Sequence, residues 1–144
     1  MDVQKDEQME QIITDKIKKS DEETIFQELL AYNLERLDHK NPRDLGIYYK
    51  DDGNIVAGLI GQTHGYWLTV KYLWVAERLR GQHIGTDLLE QAEKIAKERG
   101  CRYCFLDTFS FQAPQFYRNK GYEEVLILEK YPVSGKRHYF TKTL

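Results

Sequence analysis

A strand, a short charged loop and a strongly patterned helix follow one another between residues 66 and 99. The helix is predicted over 86–99, because apolar residues recur there at helical spacing and Gly100 follows as a C-cap. Its apolar stripe consists of Leu88, Leu89, Ala92, Ile95 and Ala96. Another apolar strand is predicted over 101–108. A strand–helix–strand unit of this kind adds two parallel strands to one sheet, so the chain is predicted to be α/β.

The rest of the chain predicts a meander of strands with two more helices. Ser20 to Glu23 has the pattern of a capping box and predicts the start of a helix that Asn41-Pro42 ends. A short helix is predicted over 113–120. Strands are predicted over 11–18, 45–50, 55–62, 66–75, 101–108, 122–130 and 137–144. This order favours a mixed, mostly antiparallel sheet of about seven strands.

Length and charge exclude several classes of protein. The chain has 144 residues, which predicts one domain over 1–144. Its formal net charge of −2 argues against a nucleic-acid binder, which needs a basic surface. No stretch approaches the roughly 20 apolar residues of a membrane helix. The polar stretch 1–10 has no apolar signal-peptide run, so we expect a cytoplasmic protein that binds no membrane.

The loop between the strand and the helix has the composition of an anion site. The first turn of a helix leaves about four backbone N–H groups without partners, and the helix dipole favours a negative charge there. Gly81 and Gly85 allow close approach of the backbone to a ligand, and Arg80 adds a cation. A plain strand-to-helix turn with two glycines is the alternative. The spacing of a dinucleotide fingerprint and that of a Walker loop are both absent.

Two motifs in order resemble those of one family. The stretch from Arg80 to Gly85, RGQHIG, resembles the Arg/Gln-x-x-Gly-x-Gly/Ala signature of the GNAT (GCN5-related N-acetyltransferase) superfamily. The stretch from Ala113 to Tyr122, APQFYRNKGY, resembles the family's A…YxxxGF/Y element. The resemblance implies the GNAT fold, with about four helices flanking a twisted sheet that splays between its fourth and fifth strands, here 66–75 and 101–108.

The resemblance also implies roles for individual residues. It implies that acetyl-CoA is the cosubstrate, that no metal is required, and that the pantetheine arm enters the splay. Tyr117 would be the general acid that protonates the leaving thiolate, and a free amide near Val75 would polarise the thioester carbonyl. The residues implied to contact the cofactor are Trp74, Val75, Arg80, Gly81, Gln82, His83, Ile84, Gly85, Thr86, Ser110 and Gln112.

One position departs from the family signature. His83 stands where the family has its middle glycine. Because residues at a helix N-terminus usually have negative φ, we expect the side chain to be sterically allowed there.

The general base is not evident from the sequence. The strand that leads to the loop has no carboxylate, so the candidates are His64, Glu77 and Asp107, each more typical of an ordinary sheet-edge or loop residue. A chain of water molecules is the alternative.

The two cysteines, Cys101 and Cys104, have CxxC spacing but fall within a predicted strand. Thioredoxin-like chemistry needs such a pair at a helix N-terminus, and the four histidines are scattered, which argues against zinc. We therefore interpret both as structural thiols.

The resemblance implies an N-acetyltransferase that moves the acetyl group of acetyl-CoA to a primary amine of a small molecule by direct attack. A protein lysine or N-terminus is the alternative acceptor. A CoA-binding module without catalysis is the alternative from a different class. Two copies could pair into a homodimer through the last strands.

Overall fold

The computed structural model describes residues 8–38 and 41–144, and the chain divides into two compact units, 1–38 and 39–144. The first unit contains one helix, α1 (Lys19–Leu34). The second unit contains a six-stranded sheet and two further α-helices. A single domain over 1–144 stays a prediction.

The strand predicted over 11–18 was wrong, because these residues form no regular structure. A few alternating apolar residues make a strand only when a neighbouring strand accepts their hydrogen bonds, and no strand of the described residues pairs with them. The capping box was also wrong. Helix α1 begins one residue earlier than Ser20, at Lys19, and Lys18 at its N-cap makes no side-chain capping bond. Its last residue is Leu34, well before Asn41-Pro42.

The elements of the second unit lie close to the predicted positions. Its strands are β1 (Arg43–Asp51), β2 (Asn54–His64), β3 (Trp67–Val75), β4 (Tyr103–Phe109), β5 (Glu123–Glu129) and β6 (Lys136–Thr143). Its helices are α2 (Ile84–Glu98) and α3 (Pro114–Asn119), with a single 3₁₀ turn at Glu77–Leu79. The described residues thus contain six strands and three α-helices, where about seven and about four were predicted.

The strand order in the sheet is β1-β2-β3-β4-β6-β5. The first three strands form an antiparallel meander, and Gly53 in the first turn has the positive φ of 79° that its position predicts. Strands β3 and β4 are parallel and joined through α2, as predicted. All other pairs of neighbouring strands are antiparallel, so the prediction of a mixed, mostly antiparallel sheet is confirmed.

The core of the second unit lies between the sheet and helix α2. Four residues of the predicted helical stripe are buried, and the fifth, Ile95, is half-buried. They pack with the alternate residues of the strands that point to the same face, among them Leu59, Leu68, Leu106 and Phe140. Burial of about 25 cal/mol per Å² of apolar surface makes this layer the main source of stability. The sheet therefore has one face covered by α2 and one face without it.

No helix in residues 8–38 and 41–144 is long and apolar enough to span a membrane.

Candidate active site

The N-terminus of helix α2 presents backbone amides that no side chain caps. The first bond inside the helix runs from the Asp87 amide to the His83 carbonyl, over 3.0 Å. The amides of Ile84, Gly85 and Thr86 precede that bond and have no acceptor within the helix. His83 occupies the N-cap position and makes no side-chain capping bond. These amides and the helix dipole make this end of α2 a candidate anion site, as the loop composition predicts.

The expectation of a negative φ at His83 was wrong. His83 has φ 64° and ψ 17°, which is the left-handed region, and Gly81 has φ 81°. A side chain in this region costs roughly 1–2 kcal/mol, because its Cβ approaches the neighbouring carbonyl oxygen. The loop must turn sharply between the 3₁₀ turn and α2, and two left-handed residues make that turn. The glycine of the family signature at this position thus has a conformational reason.

Strands β3 and β4 separate soon after they begin. They pair only where Trp67, Leu68 and Thr69 face Tyr103, Cys104 and Phe105, although β3 continues to Val75 and β4 to Phe109. The predicted splay is therefore confirmed. We call the gap between the two strands beyond Thr69 the opening.

The register of β3 directs one of its backbone amides into the opening. The Ala76 amide donates to the Val56 carbonyl over 2.8 Å, which makes Ala57 and Val75 a pair without mutual hydrogen bonds. The N–H and C=O of Val75 therefore point away from β2 and toward the opening. The Val75 carbonyl accepts a bond of 3.3 Å from Arg80 Nε, which links the predicted cation to the end of the strand. By the same register, the Trp74 backbone faces β2.

The opposite side of the opening ends at Gln112. The Ser110 amide donates to the Lys136 carbonyl over 3.0 Å, so the backbone of Phe109 faces the opening. Gln112 Oε1 accepts from the Phe109 amide at 2.7 Å, and it also lies 3.2 Å from the Thr108 hydroxyl. Gln112 therefore closes the end of β4 with its side chain. Ser110 is exposed.

A single cavity of about 710 Å³ joins these parts. Ten of the residues predicted to form the site line it: Trp74, Val75, Arg80, Gly81, His83, Ile84, Gly85, Thr86, Gln112 and Tyr117. Gln82 and Ser110 do not line it. Five further residues do: Leu73, Leu79, Phe111, Ala113 and Phe116. None of these five was predicted as a cofactor contact, because they are apolar and carry no chemistry. Ala113 and Phe116 lie within the second motif, and from the sequence Phe111, with Phe109, was a candidate for lining the acceptor pocket, with core packing as the alternative.

The three elements of the site meet at Gly85. A Cβ on Gly85 would lie 3.8 Å from both Phe116 Cζ and Val75 Cγ2. The start of α2, the end of β3 and helix α3 thus come together within van der Waals distance. The anion site and the opening are therefore two parts of one cavity.

Tyr117 lies on α3 at the inner wall of this cavity. Its ring packs edge-on against Phe116 and Tyr122, with ring centroids 5.2 and 5.8 Å away. Only 6% of the residue is exposed. Burial raises the pKa of Tyr117 to about 12, with smaller contributions from Cys104 and Asp107. No described residue forms a hydrogen bond with its hydroxyl. A protonated phenol therefore lies at the cavity wall.

None of the three candidate bases is an obvious proton acceptor. Asp107 accepts a bond of 2.6 Å from Arg137 Nε, and this bond raises the pKa of Arg137. Glu77 is exposed in the 3₁₀ turn, outside the cavity lining. His64 is half-buried at the last position of β2, likewise outside that lining.

The two cysteines are free and buried, and burial raises the pKa of Cys104 to about 12. This agrees with structural thiols. Within residues 8–38 and 41–144, no group of three or more His, Cys, Asp or Glu side chains is placed to hold a metal ion.

Comparison with known families and relatives agrees with this geometry. The sequence profile described as the Acetyltransferase (GNAT) family matches residues 7–122. Acetyltransferase Atu2258 of Agrobacterium fabrum is 39% identical over 105 residues, which cover 72% of this chain and 77% of that protein. Blasticidin-S acetyltransferase of Streptomyces morookaense is 37% identical over 93 residues, which cover 64% of this chain and 68% of that protein.

Solved structures share the fold. A candidate acetyltransferase from Agrobacterium tumefaciens matches with a TM-score of 0.88 and 32% identity, covering 94% of this chain and 100% of that one. An aminoglycoside 6'-N-acetyltransferase solved with coenzyme A matches with a TM-score of 0.61 and 20% identity, covering 72% of this chain and 74% of that one. At this lower identity the likeness concerns the fold alone.

Proposed function

The chain belongs to the GNAT acetyltransferase family, and on this basis we propose that it transfers the acetyl group of acetyl-CoA to a primary amine of a small molecule. The observation that carries the proposal is the single cavity in which an uncapped helix N-terminus meets the opening between β3 and β4. A diphosphate and an extended thioester arm need these two features side by side.

The anion site fits the pyrophosphate of CoA. The amides of Ile84, Gly85 and Thr86 would donate to its oxygens, and the guanidinium of Arg80 would add a positive charge. The pantetheine arm is extended and carries amide groups, so it can pair with the backbone of Val75 as an additional strand would. An aminoglycoside acetyltransferase with the same fold was solved with coenzyme A, which supports CoA as the ligand class of this fold.

The reaction forms one bond and breaks another. The nitrogen of the neutral amine attacks the thioester carbonyl, whose oxygen would accept a hydrogen bond from the Val75 amide. The C–N bond forms, the C–S bond breaks, and Tyr117 gives its proton to the leaving sulfur. The amine nitrogen loses a proton to water in the cavity, which also restores the Tyr117 proton. The products are the acetylated amine and the CoA thiol.

The pKa values of the described residues support Tyr117 as the acid. A phenol with a pKa of about 12 is a weak acid toward a thiolate in water. A buried thiol has a higher pKa than a thiol in water. The Cys104 thiol is an example, because burial raises its pKa to about 12. A thiolate released beside the buried Tyr117 would likewise be more basic than in water, which narrows the difference between its pKa and that of Tyr117.

A small-molecule acceptor is favoured over a protein. One relative is a blasticidin-S acetyltransferase, which by its name acts on a small antibiotic. We expect the protein to act in the cytoplasm, where acetyl-CoA is available.

Titration calorimetry with CoA, followed by acetyl-CoA turnover with a panel of amines, tests the proposal. We expect the Arg80→Gln variant to bind CoA about tenfold more weakly, because it loses a charge-assisted hydrogen bond. The Arg78→Gln variant is the matched control, since Arg78 lies in the same loop but pairs with Asp51 at 2.9 Å. Absence of CoA binding would overturn the proposal. CoA binding without turnover of any amine or peptide would favour a non-catalytic binding module.

A further inference from the structure

The sheet face that α2 does not cover presents aromatic side chains on both sides of the opening. Tyr72 and Trp74 lie on this face, because they pair with Ile60 and Gly58 rather than with the buried Leu59. They are 70% and 51% exposed, and Trp74 also lines the cavity.

The other side of the opening carries a packed group of rings around Arg137. The guanidinium carbon lies 5.8, 5.3 and 5.3 Å from the ring centroids of Phe109, Tyr131 and Tyr139. Phe111 stacks on Phe109 with centroids 5.2 Å apart, and it also lines the cavity. The rings are therefore continuous with the cavity. We call the six residues Tyr72, Trp74, Phe109, Phe111, Tyr131 and Tyr139 the aromatic flank.

The charges within the aromatic flank are already paired. Arg137 donates to Asp107 at 2.6 Å and to the Tyr131 hydroxyl at 3.0 Å. A polyamine would need unpaired carboxylates to hold its second charge, and Asp107 is already engaged by Arg137. The exposed rings of Tyr72, Trp74 and Phe111 can instead stack with another flat ring, at centroid separations of about 4.5–7 Å. The aromatic flank is therefore better suited to bind a planar group than a second positive charge.

Resting on the proposed function, we propose that the aromatic flank binds a flat ring of the acceptor. The acceptor class is then a primary amine that carries an aromatic or heteroaromatic ring. The ring lies on the flank while the amine nitrogen reaches into the opening toward the thioester. The part of the cavity toward α2, which Phe116, Tyr117 and the start of the helix line, would be filled by the cofactor.

A matched pair of amines tests the proposal. 2-Phenylethylamine and 2-cyclohexylethylamine have the same carbon skeleton and differ in whether the ring is flat. We expect the protein in saturating CoA to bind 2-phenylethylamine about tenfold more tightly in titration calorimetry, since ring stacking contributes about 0.5–1.5 kcal/mol for each pair. Equal or tighter binding of 2-cyclohexylethylamine, or tighter binding of 1,4-diaminobutane, would overturn it.

Variants of the aromatic flank test whether its rings cause the preference for a flat ring in the amine. The Tyr72→Leu and Tyr139→Leu variants should each reduce the preference for the flat ring by about fivefold, while CoA affinity is unchanged. Tyr66→Leu is the control, because Tyr66 is 53% exposed at the opposite end of β3. Circular dichroism would verify that each variant folds. A ring preference that survives both substitutions would contradict the proposal.

The two proposals fail in different ways. If CoA does not bind, the proposed function fails, and the amine titrations can still be made on the protein alone. If amines are acetylated without preference for a flat ring, only the assignment of the acceptor class fails.

Discussion

His83 departs from the family signature, and its backbone conformation carries an energetic cost. Its φ of 64° lies in the region that glycine adopts freely, and the loop needs that value to bring the amides of α2 to the cavity. His83 adopts the left-handed conformation because the 3₁₀ turn before it and α2 after it require a sharp turn of the chain. The backbone of His83 thus forms part of the turn that leads to the candidate anion site. Its side chain makes this backbone conformation less favourable than it would be for glycine.

Substitution at position 83 should reveal this strain. The His83→Gly variant should be about 0–1 kcal/mol more stable, because relief of the strain exceeds the extra entropy of glycine in the unfolded chain. The His83→Val variant should lose about 1–2 kcal/mol, since a β-branched residue fits this region poorly. Urea denaturation measures both. Gln82→Val is the control at a neighbouring residue without positive φ, and equal losses at both positions would contradict the argument.

Tyr117 combines a buried ring with a hydroxyl at the cavity wall. Packing against Phe116 and Tyr122 fixes the ring, and desolvation keeps the phenol protonated at any physiological pH. An acid that never ionises before transfer has its proton available in every turnover.

Removal of the Tyr117 hydroxyl should separate binding from catalysis. The Tyr117→Phe variant should acetylate amines about 100-fold more slowly, the usual effect of losing a general acid, with CoA affinity unchanged in calorimetry. Because the pKa of Tyr117 is about 12, the wild-type rate should show no fall between about pH 7 and 10 from its ionisation. Tyr103→Phe, at the far end of β4, should keep full activity. An unchanged rate in Tyr117→Phe would remove this residue from the mechanism.

At the scale of elements, one carboxylate joins α3 to the last two strands. Glu124 of β5 lies 2.7 Å from Arg118 of α3 and 3.0 Å from Nδ1 of His138 on β6. Desolvation raises the pKa of Glu124, but the hydrogen bonds from Arg118 and His138 lower it, and the net shift is downward. The helix that carries Tyr117 is therefore attached to the sheet by a charged group.

This attachment should make stability depend on pH. A carboxylate whose pKa is lowered on folding contributes stability above its unfolded pKa of about 4.3, and the contribution is lost as pH falls through the lower folded pKa. The Glu124→Gln variant should lose about 1–3 kcal/mol at pH 7, and the difference from wild type should shrink below about pH 4. Glu123→Gln, the exposed neighbour, is the control in urea denaturation. A difference that does not vary with pH would contradict the account.

At the scale of the whole second unit, the opening depends on close packing where β2 meets β3. A Cβ on Gly61 would lie 2.7 Å from the Thr69 carbonyl oxygen, closer than atoms in contact can approach. Thr69 is the last residue of β3 that pairs with β4, and the register of β2 against β3 shifts between Ile60 and Gly61. This glycine therefore lies beside the point at which the two parallel strands separate.

An alanine at position 61 should disturb both stability and the opening. We expect Gly61→Ala to lose about 1–3 kcal/mol, because backbone atoms have to move. CoA affinity should fall with it. For stability alone, Gly85→Ala is the matched control, since its Cβ would meet only ordinary contacts at 3.8 Å. Denaturation of the two variants and calorimetry of Gly61→Ala with CoA measure these effects, and a stable, fully binding Gly61→Ala variant would contradict the prediction.

Much of the second unit could be predicted from local pattern. All eight of its helices and strands have boundaries within two residues of the predicted ones, because alternation and helical spacing are read along the chain without knowledge of the partners. The strands of the meander and helix α2 were predicted from such local patterns. The strand over 11–18 failed, because its existence depends on a neighbour that local pattern cannot supply.

The partners of charged side chains could not be predicted in this way. Glu93 has Lys97 one turn further along α2, yet it accepts hydrogen bonds from Tyr122 at 2.7 Å and from Lys142 at 3.1 Å. Asp107 was a candidate base from the sequence, but in the structure it accepts a hydrogen bond from Arg137. Residues far apart in the chain compete for each charge, and only the fold decides which of them is near.

By itself, the sequence determined the family, the strand–loop–helix unit and the tyrosine of the second motif, because each resides in a short run of residues. Only the tertiary structure decided that His83 has a positive φ, that the Val75 amide faces the opening, and that aromatic rings flank it. These properties arise from strand register and from contacts between distant segments. Local sequence encodes neither, because both depend on which surfaces the packed chain brings together.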